Sequence, residues 1–593
     1  SDLFGGRSLG IFAKNKLFVA SVLLRLKHTS NLSYLHNIGK YPLVNRTIGQ
    51  ELGRVASEYG DRDAFVAVQE NKKITYDQLR VQADRLAAGF LSLGLQKGDR
   101  VGLWAPNVLS WPIVFFAAAR AGLIFVALNP AYEVPEMTYC LQKVGVKALV
   151  TSKSFRNKLY YDDLLKILPG LQTTTPGQSS SETIPSLTHV IVDSEENYSG
   201  VLRLNDVMSL VSGEQINEID ISQCIINPDS GCNIQFTSGT TGNPKAALLN
   251  HFSIINNGIH IGENLEFHSK KICMQVPFFH VYGIVITMLA SLSHHATIVI
   301  PSTTYNPEKS LRAIEQEKCN IINGTPTMHV DLVNLVKKKK KQRELKLNLQ
   351  ADITIISGGS LCPPQLLRDM KSELGGGGVV KVKNVYGLTE DSAVSFNTLP
   401  TDGEDKILET VGHMQDHIEA KVTDTEGNIV PFGVPGELCV RGYFTMLGYW
   451  EDETKTNEVL GKDRWLKTGD QFILHPDGYG QVVGRLKDMI IRGGENIFPK
   501  EIENVLVTCP QIAEAYVVGV PDERLGEELC AFIKLRDNIE TMSLEDIQGF
   551  CRGKLSYFKI PRYMQIVKEF PKTTSGKVQK FKLQEQFRNK KDT

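Results

Sequence analysis

The sequence predicts an α/β protein: a large, multi-subdomain N-terminal α/β domain of layered sheets and helices, then a small C-terminal α+β domain. Three observations carry this. The chain has 593 residues, well beyond the ~100–200 that one core organises. Along most of it, short β-branched runs alternate with amphipathic stripes, the pattern of layered sheets with largely buried strands. Near residues 484–488 the pattern changes, and the remainder reads strand–helix–strand–strand. The expected division is a leader extension over 1–42, a large domain over 43–485 and a small domain over 486–593.

In chain order, Leu79, Ala83, Leu86, Phe90 and Leu93 recur at spacings of four and three, one stripe of an amphipathic helix. Gly94 and the Lys97-Gly98-Asp99 turn end it, and 101–104 reads as a strand. The apolar stretch 112–128 is interrupted by Arg120 and bordered by turn residues, so it reads as buried helix–turn–strand and not as a membrane span. Further strands are expected at 148–151, 189–192, 297–300, 353–356 and 379–382. Residues 172–185, rich in Thr, Ser, Pro and Gly, read as a surface loop. The lysine run 337–341 reads as a solvated helix end, and 375–378 as a glycine turn before a strand. In the small domain a strand is expected at 489–491, a helix at 500–507, and strands at 513–518 and 530–535.

Composition narrows the function. Lys+Arg and Asp+Glu both number 66, so bulk charge gives no reason to expect nucleic acid or an anionic membrane as partner. The ten cysteines are dispersed and form no CxxC pair, which argues for reduced structural thiols. Residues 1–50 contain one acid, Asp2, against Arg7, Lys14, Lys16, Arg25, Lys27, Lys40 and Arg46, with apolar residues clustered at 17–24. This reads as a mitochondrial transit segment. A short secretory signal or an ordinary extension are the alternatives, which leave cytoplasmic and secretory locations open.

Residues 237–251 read TSGTTGNPKAALLNH. The stretch reads as neither helix nor packed strand. Its glycines let backbone N–H groups approach a ligand, its hydroxyls add donors, and Lys245 adds a point charge; together they suit a phosphate chain. It is not a Walker A loop, because Gly239 and Gly242 are too close and no Gly-Lys pair precedes Ser or Thr. Six more motifs follow in order: Phe278-Phe279-His280, Ser357-Gly358-Gly359-Ser360, Tyr386-Gly387-Leu388-Thr389-Glu390, GELCVRG from Gly436 with Thr468-Gly469-Asp470, GRLKD from Gly484, and KTTSGK ending at Lys577.

This ordered set resembles the adenylate-forming superfamily of acyl-CoA synthetases, beetle luciferases and peptide-synthetase adenylation domains. The resemblance spans about residues 45–590. It implies that Thr237, Ser238, Gly239, Thr240, Thr241 and Lys245 hold the ATP phosphates, with Thr240 also in the catalytic set. Gly358, Gly359, Ser360, Tyr386 and Gly387 would bind ATP or AMP, with Gly358 and Gly359 allowing close backbone approach to adenine and the acyl pocket and the Tyr386 ring stacked on the base. Thr389 would meet the α-phosphate and Glu390 would ligate Mg²⁺. Asp470 would accept from the ribose hydroxyls, supported by Arg485, and His280 would gate the carboxylate pocket. Lys577 would reach the α-phosphate and carboxylate during adenylation. The small domain would be mobile about Lys487, bringing Gly494 to coenzyme A for the thioester step.

The implied reaction uses ATP and coenzyme A as co-substrates and Mg²⁺ as cofactor. A carboxylic acid becomes an acyl-adenylate and then an acyl-CoA. Residues 441–450 and 487–499 are most similar to medium-chain acyl-CoA synthetases, including mitochondrial ones, in agreement with the basic leader. The remaining alternatives are a luciferase-like or aromatic-acid enzyme and a non-catalytic nucleotide-binding protein. Partners are expected to be small molecules, without nucleic acid or a transmembrane segment; monomer and homo-oligomer are both compatible. Two positions depart from the superfamily pattern: Ala246 stands where glycine usually follows the lysine, and Asn250 where Ser or Thr usually precedes His251. If position 246 needed positive φ, alanine would be strained; the milder expectation is an extended backbone.

Overall fold

The computed structural model describes residues 31–237, 244–342, 349, 352–359, 362, 364–375, 378–492, 495–522, 525–537, 539–552, 554–555, 557–573 and 576–591. The helix Tyr76–Ser92 shows how local sequence becomes packing. Thr75 and Gln78 form a reciprocal capping box at its start, and Leu93 and Gly94 close it. Leu79, Ala83, Leu86 and Phe90 are fully buried, each of the larger three contributing about 1.5–3 kcal/mol of burial. The next helix, Ser110–Arg120, is buried all round and leads into the buried strand Ile124–Leu128, as expected. Arg120, the charge that interrupts this stretch, is itself buried, held by Asp84, by Asp220 at 2.9 Å and by the Gly49 carbonyl at 3.1 Å.

These helices pack between two sheets. An eight-stranded sheet runs in the order Leu202–Arg203, His189–Asp193, Ala148–Ser152, Arg100–Trp104, Ile124–Leu128, Gly231–Thr237, Lys245–Asn250 and Gly448–Tyr449. It is parallel up to Gly231–Thr237 and antiparallel beyond. A nine-stranded sheet has a parallel centre from Val379–Tyr386 through Asp352–Gly358, Ile321–Gly324, Lys271–Met274 and Thr297–Ile300 to Asp63–Ala67. One continuous core joins both sheets through the helices between them. A third, antiparallel sheet contains Tyr34–Asn37, Ile418–Thr423, Gly436–Gly442, Leu466–Leu474 and Gly480–Arg485.

After Arg485, a single turn of 3₁₀ helix, Leu486–Asp488, leads into a separate sheet. It is built from Ile490–Arg492, Glu495–Ile497, Ile512–Asp522, Gly526–Leu535 and Tyr563–Ile566, with its own core beneath Pro499–Leu506. The expected small-domain elements are all present, with ends shifted by one residue or extended. The lysine run ends the helix Pro326–Lys341, tied by Lys337 to Asp369 at 2.9 Å and by Lys340 to Glu373 at 3.0 Å. Among the described residues, no helix is long and apolar enough to cross a membrane.

Two expectations are corrected. The expected leader, 1–42, overlaps the fold: Tyr34–Asn37 is an edge strand of the third sheet, with the Tyr34 hydroxyl donating to Glu419 at 2.7 Å and the Asn37 side-chain amide to the Gln415 carbonyl at 3.0 Å. Residues 1–30 lie outside the described residues. The stretch 237–251 is also more ordered at its ends than expected. Thr237 closes one strand, Lys245–Asn250 is the antiparallel partner, and Asn250 caps the helix His251–Asn264. The reason is Ala246-Ala247-Leu248-Leu249: Ala246, Ala247 and Leu249 are buried, and small side chains fit between two neighbouring strands. Ala246 has no positive φ, so it is extended and unstrained, the milder of the two expectations.

Candidate active site

The expected site residues come from separate sheets whose ends converge. Thr237 ends a parallel strand of the first sheet and Lys245 begins the return strand. Gly358 and Tyr386 end adjacent parallel strands of the second. Asp470 and Arg485 are register partners in the third. Carboxyl ends of parallel strands are where open α/β sheets present ligand sites.

One cluster surrounds Glu390. Its Oε1 accepts from the Tyr449 hydroxyl at 2.8 Å and lies 3.5 Å from Thr237 Oγ1. The Tyr449 oxygen in turn accepts from Lys245 Nζ at 2.9 Å. Tyr449 thus bridges the anchor of the phosphate-loop candidate to the carboxylate, pairing lysine with glutamate through a hydroxyl. Sequence reasoning assigned Tyr449 no role. Behind Glu390, Asp391 is completely buried and accepts from the Leu388 amide at 2.8 Å, holding the Tyr386–Glu390 turn. Burial pushes its carboxyl up to about 7. Thr389 lies in this turn.

A second cluster surrounds Asp470, which is 3% exposed. Its Oδ2 accepts from the Tyr386 hydroxyl at 2.8 Å and its Oδ1 faces Arg485 Nε at 2.9 Å. Each oxygen keeps a second lone pair, as acceptance from two ribose hydroxyls would require. Phe396 and Phe472 pack against the Tyr386 ring. Gly387 follows, and Gly359 (φ +86°) continues the turn beyond Gly358.

His280 follows a wall built by Phe278 stacked on Trp111, ring centroids 5.0 Å apart. Asn107 fastens this segment by accepting from the Phe278 amide at 2.8 Å and donating to the Val276 carbonyl at 2.9 Å. His280 Nδ1 accepts from the Tyr282 amide at 3.2 Å, so the neutral ring carries its proton on Nε2. Burial, with the Lys577 charge second, pushes the imidazole down to about 3. Tyr282 opens the π-helix Tyr282–Leu289, a geometry frequent beside functional sites.

Lys577 arrives from the small domain. Its turn is closed by the Thr573 amide donating to the Lys577 carbonyl at 2.7 Å and the Gly576 amide to Thr573 at 2.9 Å. Gly576 sits against Thr325 and Thr327 of the large domain. The Lys577 side chain is exposed to water, yet its ammonium is crowded by protein. Crowding first and Arg485 second push it down to about 8, while Asp470 and Glu390 pull upward. Lys577 therefore shares its electrostatic surroundings with both acidic clusters and with His280. Lys487 lies exposed on the turn between the third and fourth sheets; crowding by nearby protein and then Arg485 lower its ammonium. Ser238, Gly239, Thr240, Thr241, Ser360 and Gly494 lie outside the described residues.

Comparison with known proteins agrees with this arrangement. A family model described as AMP-binding enzyme matches residues 52–450, and one described as AMP-binding enzyme C-terminal domain matches 501–577. The chain is 42% identical over 568 residues to the mouse (Mus musculus) protein named medium-chain acyl-CoA ligase ACSF2, mitochondrial, covering 94% of this chain and 90% of that protein. It is 37% identical over 545 residues to a putative acyl-CoA synthetase, YngI, of Bacillus subtilis (strain 168), covering 92% and 97%. Among solved structures, the anthranilate CoA ligase AuaEII in complex with anthranoyl-AMP shares the fold, with TM-score 0.80 at 24% identity over 93% of this chain and 99% of that one. ATP-bound MatB from Rhodopseudomonas palustris does so with TM-score 0.76 at 24% identity over 92% and 99%. With both domains matched and relatives similar over nearly their whole length, the chain belongs to the AMP-binding enzyme family.

Proposed function

We propose that this protein is an AMP-forming acid–thiol ligase that activates a medium-chain fatty acid with ATP and transfers the acyl group to coenzyme A. The observation that carries the reading is that Lys577, from the small domain, lies within electrostatic reach of Asp470, Arg485, Glu390 and His280 of the large one. The medium-chain substrate rests on the mouse relative and its counterparts in other vertebrates. The basic leader and the mitochondrial names of those relatives support a mitochondrial location.

In the first half-reaction a fatty carboxylate oxygen attacks the α-phosphorus of ATP, forming the acyl-adenylate and releasing pyrophosphate. Tyr386 and the Gly358–Gly359 turn frame the base, and Asp470, steadied by Arg485, accepts from the ribose. Lys245 and the loop 238–243 hold the β- and γ-phosphates, with Thr240 among the donors. Thr389 and Lys577 face the α-phosphate, where Lys577 offsets the charge that builds up. Catalysis of this kind is positioning plus electrostatic stabilisation. The neutral His280 presents Nε2–H beside the carboxylate without competing for Lys577. The hard oxygen donors Glu390 and Thr237, 3.5 Å apart, fit Mg²⁺, which would neutralise phosphate charge there. In the second half-reaction the coenzyme A thiol loses its proton, its sulfur attacks the acyl carbon, and AMP leaves. The small domain turns about Lys487, withdrawing Lys577 and bringing Gly494 to the thiol's path.

The test is AMP formation across a panel of acids, with and without coenzyme A. Octanoate is expected to give coenzyme-A-dependent acyl-CoA and AMP. Preference for an aryl acid would overturn the medium-chain assignment, and ATP binding without acid-dependent pyrophosphate release would overturn the enzyme.

A further inference from the structure

At the end of the nine-stranded sheet's parallel strands opposite to Gly358 and Tyr386, the amino end, two neighbouring strands begin, Lys271–Met274 and Thr297–Ile300. His268 lies in the turn before the first and His294 in the turn before the second. Glu263 lies in the last turn of the helix His251–Asn264. One ligand-capable atom from each of these three side chains lies within 4.8 Å of the others.

The hydrogen bonds fix both tautomers. His294 Nε2 lies 2.9 Å from the Ile259 carbonyl, which can only accept, so Nε2 carries a proton. His268 Nε2 lies 2.9 Å from Glu263 Oε2, and an ionised carboxylate oxygen only accepts, so this Nε2 carries a proton too. In neutral rings both Nδ1 atoms therefore bear lone pairs, and they face each other at 3.4 Å. Two lone pairs so placed repel unless a metal ion or a shared proton lies between them.

The spacing suits a metal. Two imidazole nitrogens bound at ~2.0–2.1 Å to a tetrahedral zinc stand about 3.3–3.4 Å apart. The outer bonds match as well: metal-bound histidines commonly donate the other ring N–H to a carboxylate or a backbone carbonyl, and here one does each. The seat of His294 is also built for it. A Cβ at Gly262 would fall 2.0 Å from His294 Cδ2, so only glycine admits the ring. His294 is 4% exposed, whereas His268 and Glu263 face solvent, leaving room for water ligands.

We propose that His268 and His294 bind a zinc-class divalent ion through their Nδ1 atoms, with Glu263 fixing the His268 ring and water completing the coordination. The ion clamps the end of the helix His251–Asn264 to the turn before Thr297–Ile300, remote from the nucleotide site.

The test uses the full chain, stripped with a chelator and dialysed, titrated with Zn²⁺ by calorimetry at neutral pH and with Co²⁺ by visible absorption. Wild type is expected to bind one equivalent of Zn²⁺ that His268→Gln does not bind. Glu263→Gln should weaken that equivalent by about 10–100-fold. Zn²⁺ should raise the Tm of wild type and not of His268→Gln, and both variants should keep carboxylate-dependent pyrophosphate release, which shows that they fold. Equal Zn²⁺ titrations of wild type and His268→Gln would overturn the proposal. So would a wild type that binds no Zn²⁺ at neutral pH, leaving the two rings to share a proton instead.

Discussion

Lys577→Ala removes a positive group that the small domain brings within reach of the two acidic clusters, and it should separate the half-reactions. An ammonium about 4 Å from a phosphate oxygen, at the effective dielectric of ~20 suited to a partly solvated cleft, is worth about 4 kcal/mol. Loss of one such stabiliser in other active sites costs about 10²–10³ in kcat. Adenylation, read as pyrophosphate released from ATP with octanoate, should therefore fall about 10³-fold, since each ~1.4 kcal/mol is tenfold. Thioester formation from supplied octanoyl-adenylate and coenzyme A should stay within about threefold, ~0.7 kcal/mol. The exposed turn carrying Lys577 makes its own hydrogen bonds through Thr573 and Gly576, so the variant should keep the wild-type Tm. A folded variant that loses both half-reactions equally would refute the assignment of Lys577 to the first step.

The charged form of Lys577 predominates below about 8 and is lost above it. In kcat/KM for ATP in adenylation, which reports the free enzyme, a limb should therefore descend through that pH; a profile flat to pH 9.5, roughly a unit and a half above this pKa, would contradict the lowered ammonium. Tyr449→Phe deletes the hydroxyl that joins Lys245 to Glu390; a hydrogen bond to a charged group is worth about 1.5–3 kcal/mol, so kcat/KM for ATP should fall roughly tenfold or more, and an unchanged value would show the bridge to be incidental. Ala246→Gly should change ATP turnover by less than about tenfold, ~1.4 kcal/mol, while calorimetric stability falls by about 0.5–1 kcal/mol, the usual cost of glycine inside a strand. Lys487→Pro fixes φ in the turn between the two domains; adenylation should persist while acyl transfer to coenzyme A is lost, and equal loss of both steps would argue against a hinge there.

What the sequence made legible follows from which interactions are local. The nucleotide motifs are contiguous, so Tyr386, Glu390, Asp470 and Arg485 could be found by eye and then proved to be neighbours. The stripe from Leu79 to Phe90 was readable because helix period and burial coincide within one element. Tyr34–Asn37 was not, since its partner Glu419 lies 385 residues away and its own surroundings are basic. The π-helix Tyr282–Leu289 is apolar on every side, so no period in the sequence marks its extra residue per turn. Tyr449 was invisible for the same reason as Tyr34: its role exists only once Lys245 and Glu390 are brought to it.

The strand Lys245–Asn250 sharpens the point, because its Ala-Ala-Leu-Leu core favours helix by propensity and is overruled by neighbours on both sides. Ala246 pairs with Phe236, and its carbonyl accepts from the Trp450 amide at 2.7 Å. Ala246 therefore falls within the strand that presents Lys245. A β-strand residue with buried neighbours gains packing from a methyl group and needs no left-handed backbone. Alanine here stiffens the root of the strand from which Lys245 is presented.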